Sequence, residues 1–169
     1  MPTYELDSGS RITVCAKSSI HDTTCVWDKL TGSVDADAAT LIDVGAKARL
    51  TADMTSYDAG DFLKNRKLRK DLDVKRHPEA TFELRALDDV RALGDGKFEA
   101  IAVGALRWHG REVTVRAVGS GAILVDRIDV KASFELNVRD LGIEPPKFLM
   151  FKVEEIVEVA VTLRAVSRK

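Results

Sequence analysis

The stretch DVKASFELNVR, residues 129–139, alternates apolar and polar side chains without a break. Because successive side chains of a strand point to opposite faces, this period of two predicts a strand with one buried and one wet face. The same alternation recurs in residues 11–17, 112–117 and 157–164. The chain is therefore predicted to consist mainly of β-strands. The apolar face of the first stretch comprises Val130, Ala132, Phe134, Leu136 and Val138.

Turn signals such as Gly94-Asp95-Gly96 and His109-Gly110 divide the rest of the chain into further strands. Eight one-sided antiparallel strands bury their apolar faces either in two stacked sheets or in a closed barrel, and alternation alone fits both. Strands of ten or more residues favour a tilted barrel wall, so an all-β, closed eight-stranded antiparallel barrel is predicted. The predicted strands lie near residues 10–17, 24–34, 42–53, 80–87, 97–108, 111–125, 128–138 and 151–166.

One long connection, residues 54–79, contains the predicted helix, a short one at about residues 61–72. Asp61 is placed to cap its first turn, and Pro78 follows its end. The helix is expected to lie across the mouth of the barrel. Its partial apolar stripe comprises Phe62, Leu63, Leu68 and Leu72.

Composition bounds the class of protein. The 169 residues are 45% hydrophobic and 31% charged, which suits a single globular domain over residues 1–169. A net charge of -1 lacks the basic excess of nucleic-acid-binding proteins, so no nucleic-acid partner is expected. A signal-peptide pattern and long apolar runs are missing, so a cytoplasmic location is expected. Cys15 and Cys25 are expected to be free thiols, and a hairpin turning near Ile20 would place them opposite each other.

Six short motifs occur in order along the chain: Tyr4, Asp7 and Ser10; His21-Asp22; Asp53, Ser56 and Gly60; residues 77–82; Gly104, Leu106 and His109-Gly110; and residues 140–146. Together these motifs resemble the YceI-like family. The resemblance implies a lipocalin-like antiparallel β-barrel that binds a polyisoprenoid or another amphiphile. Many members of that family are exported, and many carry aromatic residues where this chain has Thr13-Val14-Cys15.

An eight-stranded barrel is just wide enough to hold one small ligand or to be filled by its own side chains. Alanine and glycine recur on the predicted inward faces, and small side chains leave volume there. The alternative is a solid core, filled by large side chains such as Phe82, Phe98 and Trp108. The residues predicted to line a ligand-binding lumen are Val14, Ala46, Ala48, Leu50, Phe82, Ala102, Leu106, Trp108, Val115, Phe134 and Val159.

Such a lining suits an apolar chain, so the expected ligand is a polyisoprenoid, a quinone or a fatty acyl amphiphile. The competing class is a solid-core structural barrel that acts through its surface or as a homodimer. Strand 97–108 is apolar on both faces, so the helix or a dimer partner is expected to cover Ile101, Val103 and Ala105.

Little in the sequence indicates catalysis or metal binding. The three histidines, at positions 21, 77 and 109, fall in predicted loops without zinc-site spacing. No G-x-S-x-G nucleophile motif occurs, and Asp53, Asp58 and Asp61 are more typical of helix caps and turns. The chain is expected to bind a ligand without being an enzyme, and to need no cofactor or metal.

The densest charge run lies on the predicted helix, with Lys64, Lys67, Arg69 and Lys70 as its candidate functional residues. One interpretation is a solvated helix face, which need only be polar. The other is a basic lid that contacts anionic lipid head groups, which would make peripheral membrane contact.

Overall fold

The computed structural model describes residues 1–17, 23–60, 62–143, 147–148, 151–152 and 155–167. Strands account for most of these residues. The strands are β1 Thr3–Leu6, β2 Arg11–Ala16, β3 Thr23–Trp27, β4 Leu30–Asp35, β5 Lys47–Asp53, β6 Tyr57–Asp58, β7 Glu79–Gly94, β8 Lys97–Trp108, β9 Arg111–Ile123, β10 Arg127–Asn137, β11 Lys147–Phe148, β12 Phe151–Lys152 and β13 Ile156–Ser167. The helices are α1 Leu41–Val44 and α2 Phe62–Asp71, with 3-10 turns at Met54–Ser56 and Val138–Leu141.

The wall strands close into a ring in the order β1, β4, β5, β7, β8, β9, β10, β13 and back to β1. Strand β2 pairs with β13 and with β3, so β1 and β2 are two parts of one wall strand, as are β3 and β4. Every pairing in the ring is antiparallel. The predicted closed eight-stranded antiparallel barrel is confirmed, and α2 lies in the predicted connection.

Several predicted boundaries are wrong. The first wall strand begins at Thr3, and the segment predicted to start a strand at residue 42 first forms α1, which ends at Gly45 with a φ of 78°. Strand β7 continues to Gly94, because its hairpin with β8 stays paired up to the contact of Gly94 with Lys97. Residues 151–152 pair with residues 147–148, and the last wall strand begins at Ile156.

A compact polar joint connects β1 to β2. The buried Ser10 side chain donates to the Arg164 carbonyl (3.1 Å) and accepts from the Arg164 N–H (2.9 Å). The same carbonyl accepts from the Asp7 N–H (2.9 Å), and the Asp7 carboxylate pairs with the Arg164 guanidinium (3.3 Å). The joint therefore keeps β13 hydrogen-bonded to the first wall strand where regular pairing is interrupted.

Two hydrophobic clusters occupy different parts of the barrel interior. The lid cluster joins the inner side of α2 to the adjoining wall, and the far cluster joins β1, β4 and α1 to the ends of β9, β10 and β13. The lid cluster contains Cys25, Trp27, Ala52, Met54, Tyr57, Ala59, Leu68, Leu72, Val74, Ala80, Trp108, Leu141 and Ile143. The far cluster contains Tyr4, Val34, Ala36, Leu41, Ile123, Ile128 and Ala165.

Ion pairs cross the apolar outer face of β8. Arg116 is the β9 partner of Val103, and Asp88 is the β7 partner of Ile101. The guanidinium of Arg116 lies 3.1 Å from the Asp88 carboxylate, so this pair crosses β8 between the two apolar residues. Ala105 is 0% exposed. The predicted helix does not cover this outer face, because α2 packs in the lid cluster. Coverage by a second copy in a homodimer stays a prediction. On the same outer face, Arg85 and Arg107 both pair with Glu112.

The cysteine pairing expected from a turn at Ile20 is wrong by one residue. Cys25 pairs with Val14, and Cys15 pairs with Thr24. A shift of one residue moves a side chain to the other face of a sheet, so the two thiols point to opposite sides of the wall. Both cysteines are free, and Cys25 lies inside the barrel in the lid cluster.

Substitution Ser10→Ala is expected to lower the free energy of unfolding by about 1–3 kcal/mol, because it removes the hydroxyl that satisfies the backbone of Arg164 in a buried site. Urea unfolding monitored by circular dichroism measures the loss. Ser8→Ala is the matched control, since Ser8 is exposed in the same turn. Equal stability of the two variants would contradict the role assigned to the joint.

Candidate ligand-binding lumen and its helical lid

Strand register assigns the predicted lumen residues to the inner face. Val14 pairs with Val159, which pairs in turn with Phe134. The same register relates Ala48 to Val34, whose side chain lies in the far cluster. Ala46 precedes β5 and packs against that cluster. The candidates placed inward on strands are Val14, Ala48, Leu50, Phe82, Ala102, Leu106, Trp108, Val115, Phe134 and Val159.

The candidates fall into different surroundings. Trp108 belongs to the lid cluster, and Val14 and Leu106 pack against it. Ala46 and Ala48 pack against the far cluster. The others, Leu50, Phe82, Ala102, Val115, Phe134 and Val159, are members of neither cluster.

A belt of accessible apolar surface lines the inner wall between the clusters. Leu50, Phe82 and Phe134 point inward, yet each keeps part of its surface accessible. Ala102 and Ala132 on the same wall are also only half-buried. Large apolar side chains in a solid core are buried in contact with one another. These inward side chains are therefore not fully packed against their neighbours, whereas Val115 and Val159 on the same inner face are buried.

Two phenylalanine rings lie along the wall. A Cβ added at Gly104 would collide with the ring of Phe82 on the neighbouring strand. At Gly121 an added Cβ would lie 3.0 Å from the Phe98 ring. Each ring thus packs over a glycine of the adjacent strand, where the missing side chain leaves room for it. Phe82 and Phe98, named above as side chains that could fill a solid core, therefore pack against neighbouring strands at these two positions.

The connection that carries α2 is fastened by two tryptophans. The Trp27 indole donates to the Met54 carbonyl (3.2 Å) at the start of the connection. The Trp108 indole donates to the His77 carbonyl (2.8 Å) at its end. Both rings lie in the lid cluster with Leu68 of α2. These contacts hold the helix over one part of the barrel interior.

Further hydrogen bonds hold the first half of α2. The Tyr57 hydroxyl donates to the Asn65 carbonyl (2.6 Å), and the Asn65 side-chain oxygen accepts from the Ala59 N–H (2.6 Å). Burial raises the pKa of Tyr57, which keeps its hydroxyl protonated and able to donate. The beginning of the helix is therefore tied to the segment immediately before it.

A pair of stacked histidines supports the other end of α2. The His109 ring stacks on His77 with centroids 4.1 Å apart and meets Trp108 edge-on at 4.5 Å. His109 Nε2 lies 2.7 Å from the Leu72 carbonyl, which can only accept, so Nε2 carries the proton. Burial is the main cause that lowers the pKa of His109, and nearby His77 acts in the same direction, whereas the Leu72 carbonyl and Asp73 oppose them.

The predicted apolar stripe of α2 is only partly correct. Leu68 and Leu72 are buried, but Phe62 and Leu63 are 77% and 75% exposed. The rotation of the helix is set by its tethers to the barrel, which a local pattern does not contain. Asp61 lies outside the described residues.

The predicted basic residues of the helix lie at different depths. Arg69 and Lys70 are exposed, whereas Lys64 and Lys67 are half-buried. Lys67 pairs with Asp71 at 3.3 Å. The cationic groups therefore follow the outer side of α2 and its flanks.

A separate open groove of about 670 Å³ lies where β5 and β7 stop pairing beyond Arg49 and Glu83. Ala46 and Ala48 line it together with Leu84. Its remaining lining is largely polar and charged, unlike the belt in the middle of the barrel.

The polar residues considered for catalysis have structural roles where they are described. The Asp53 carboxylate accepts from the Thr55 N–H and hydroxyl, and Asp58 accepts from the Gly60 N–H, which lowers both pKa values. Burial raises the pKa of Cys25 to about 12, so this thiol stays protonated. Among the described residues, no three His, Cys, Asp or Glu side chains converge as a metal site. The pair His21-Asp22 lies outside them.

Comparison with known proteins agrees with this architecture. The model of the YceI-like domain matches residues 4–165. The chain belongs to the YceI-like family. No curated protein matches it. Within the described part of the chain, no helix is long and apolar enough to cross a membrane.

Several solved structures superpose over most of the chain. BcnA of Burkholderia cenocepacia matches with a TM-score of 0.78 and 22% identity, over 95% of this chain and 99% of that one. A polyisoprenoid binding domain from Saccharophagus degradans, described as implicated in plant cell wall breakdown, matches with a TM-score of 0.77 and 17% identity, over 99% and 100%. A Campylobacter jejuni YceI protein matches with a TM-score of 0.67 and 12% identity, over 86% and 85%. At these identities the likeness establishes the shared fold.

Stability is expected to fall as the pH is lowered from about 7.5 to about 5.5, since the unfolded chain takes up a proton at His109 near pH 6.5 before the folded chain does. This loss of stability is absent at a pH above the His109 pKa of the unfolded chain. It grows as the pH falls toward the lower His109 pKa of the folded chain. Thermal unfolding across this range measures it. His109→Gln keeps a donor for the Leu72 carbonyl and is expected to flatten the dependence. An unchanged slope in this variant would assign the titration to another group.

Proposed function

We propose that this YceI-like barrel binds one amphiphile with a long apolar chain, a polyisoprenoid, a quinone or a fatty acyl compound, in the belt between its two clusters. The observation that carries the proposal is the partial exposure of inward Leu50, Phe82 and Phe134. Apolar surface that stays accessible inside a barrel gains free energy when a ligand covers it, at about 25 cal/mol per Å². The chain then acts as a carrier or a sequestering protein.

Three further observations support an apolar ligand of this kind. The rings of Phe82 and Phe98 lie over Gly104 and Gly121, so both rings are held against the wall. Aliphatic and small side chains dominate the belt, so binding relies on burial more than on directional polar contacts. The similar domain from Saccharophagus degradans is a polyisoprenoid binding domain.

The role is binding without catalysis. The aspartates at the start of the connection are engaged in turns, and the thiol inside the barrel is protonated. A solid-core barrel that acts through its surface is the competing function, and it requires inward side chains that interlock across the axis. The half-buried belt argues against it.

Mass spectrometry of organic extracts of the purified protein is expected to detect a bound amphiphile, and added polyprenol, quinone or fatty acid analogues are expected to raise the melting temperature. Ala102→Phe and Ala132→Phe narrow the belt and are expected to weaken binding about tenfold or more while the fold is kept. Val118→Phe is the matched control, because Val118 is 65% exposed on the outer face.

Empty extracts in repeated preparations, together with no binding of any of the three analogue classes, would overturn the proposal. Equal affinity of the inward and outward variants would place the ligand elsewhere on the molecule.

A further inference from the structure

The outer side of α2 combines exposed apolar and basic side chains. Phe62, Arg66 and Lys70 follow one another at four-residue intervals, so they lie along one side of the helix. Leu68 and Leu72 face the lid cluster on another side. All three residues of the outer row are exposed.

A helix that packs on a hydrophobic core usually turns its large apolar side chains toward that core, yet α2 leaves two adjacent ones in solvent. Phe62 is 77% exposed and Leu63 is 75% exposed, at the first turn of the helix. The helix is anchored through Tyr57 and Asn65, so these side chains stay outside while the lid is closed. Exposed apolar groups beside basic residues are typical of helices that lie at a membrane interface.

The charge of the molecule is strongly divided. Residues 62–76 hold seven basic and two acidic residues, a net charge of +5, whereas the whole chain carries -1. The rest of the chain therefore carries -6. Both acidic residues of this segment lie beside basic ones, Asp71 by Lys67 and Asp73 by Arg76. An anionic surface thus attracts the lid and repels the remainder of the barrel, which sets one orientation.

We infer that the outer face of α2 docks on an anionic lipid bilayer, with Phe62 and Leu63 inserted among the head groups and Arg66 and Lys70 against lipid phosphates. This inference rests on the proposed function, because docking brings the lid cluster and the lumen behind it to the surface from which an apolar chain leaves the bilayer. A nucleic acid fits less well, since it offers no apolar layer for the two side chains.

Sedimentation of the 169-residue chain with vesicles tests the docking. Binding is expected to vesicles of phosphatidylcholine mixed with phosphatidylglycerol, not to phosphatidylcholine alone, and to weaken as salt is raised. The double variant Phe62→Ser/Leu63→Ser and the double variant Arg66→Glu/Lys70→Glu are each expected to weaken binding about tenfold or more. Circular dichroism melting checks that both variants fold, as expected for exposed positions.

The matched controls lie away from the helix. Arg91→Glu/Lys97→Glu reverses two exposed charges on the β7–β8 hairpin, and Val125→Ser removes a side chain that is 97% exposed. Both are expected to bind vesicles like the unmodified chain. Loss of binding in the controls, unchanged binding in the helix variants, or binding of single-stranded DNA in place of vesicles would overturn the docking.

The two hypotheses fail separately. A protein that carries an extractable amphiphile but ignores vesicles contradicts the docking alone. A protein that binds vesicles through α2 but carries and accepts no amphiphile contradicts the proposed function alone.

Discussion

The barrel depends on the pairing of β13 with neighbours on both of its edges. On one edge it pairs with the whole length of β10, and on the other it pairs with β2 and then β1 across the joint at Ser10. The closed ring gives each wall strand a neighbour on both sides over at least part of its length, and it encloses an interior whose width follows from the strand number. The belt, the clusters and the position of the lid all require this closure.

The alternation of β10 was sufficient to predict which residues point inward, because side-chain direction has a period of two whatever the neighbouring strands are. Where a prediction needed the register between strands, as for Cys15 and Cys25, local patterns were insufficient. The exposed Phe62 and Leu63 show the same limit for α2, since tethers at Trp27, Trp108 and Asn65 determine which side of the helix faces the barrel.

The candidate site was predictable in outline only. Small inward residues were visible as a pattern, and most predicted lumen residues are indeed on the inner face. The division of that face into two packed clusters and an accessible belt was not visible, because it depends on which rings lie over which glycines. Gly104 with Phe82 and Gly121 with Phe98 are contacts between neighbouring strands that no local motif encodes.

The chain has two tryptophans, and both lie in the lid cluster with their indole groups bonded to the ends of the same connection. The emission of an indole responds to the polarity around its ring and to the partner of its N–H. Tryptophan emission, excited selectively, therefore reports on the lid cluster and not on the far cluster, whose aromatic member is Tyr4. Movement of α2 can accordingly be followed optically in the unlabelled molecule, in solution and in real time.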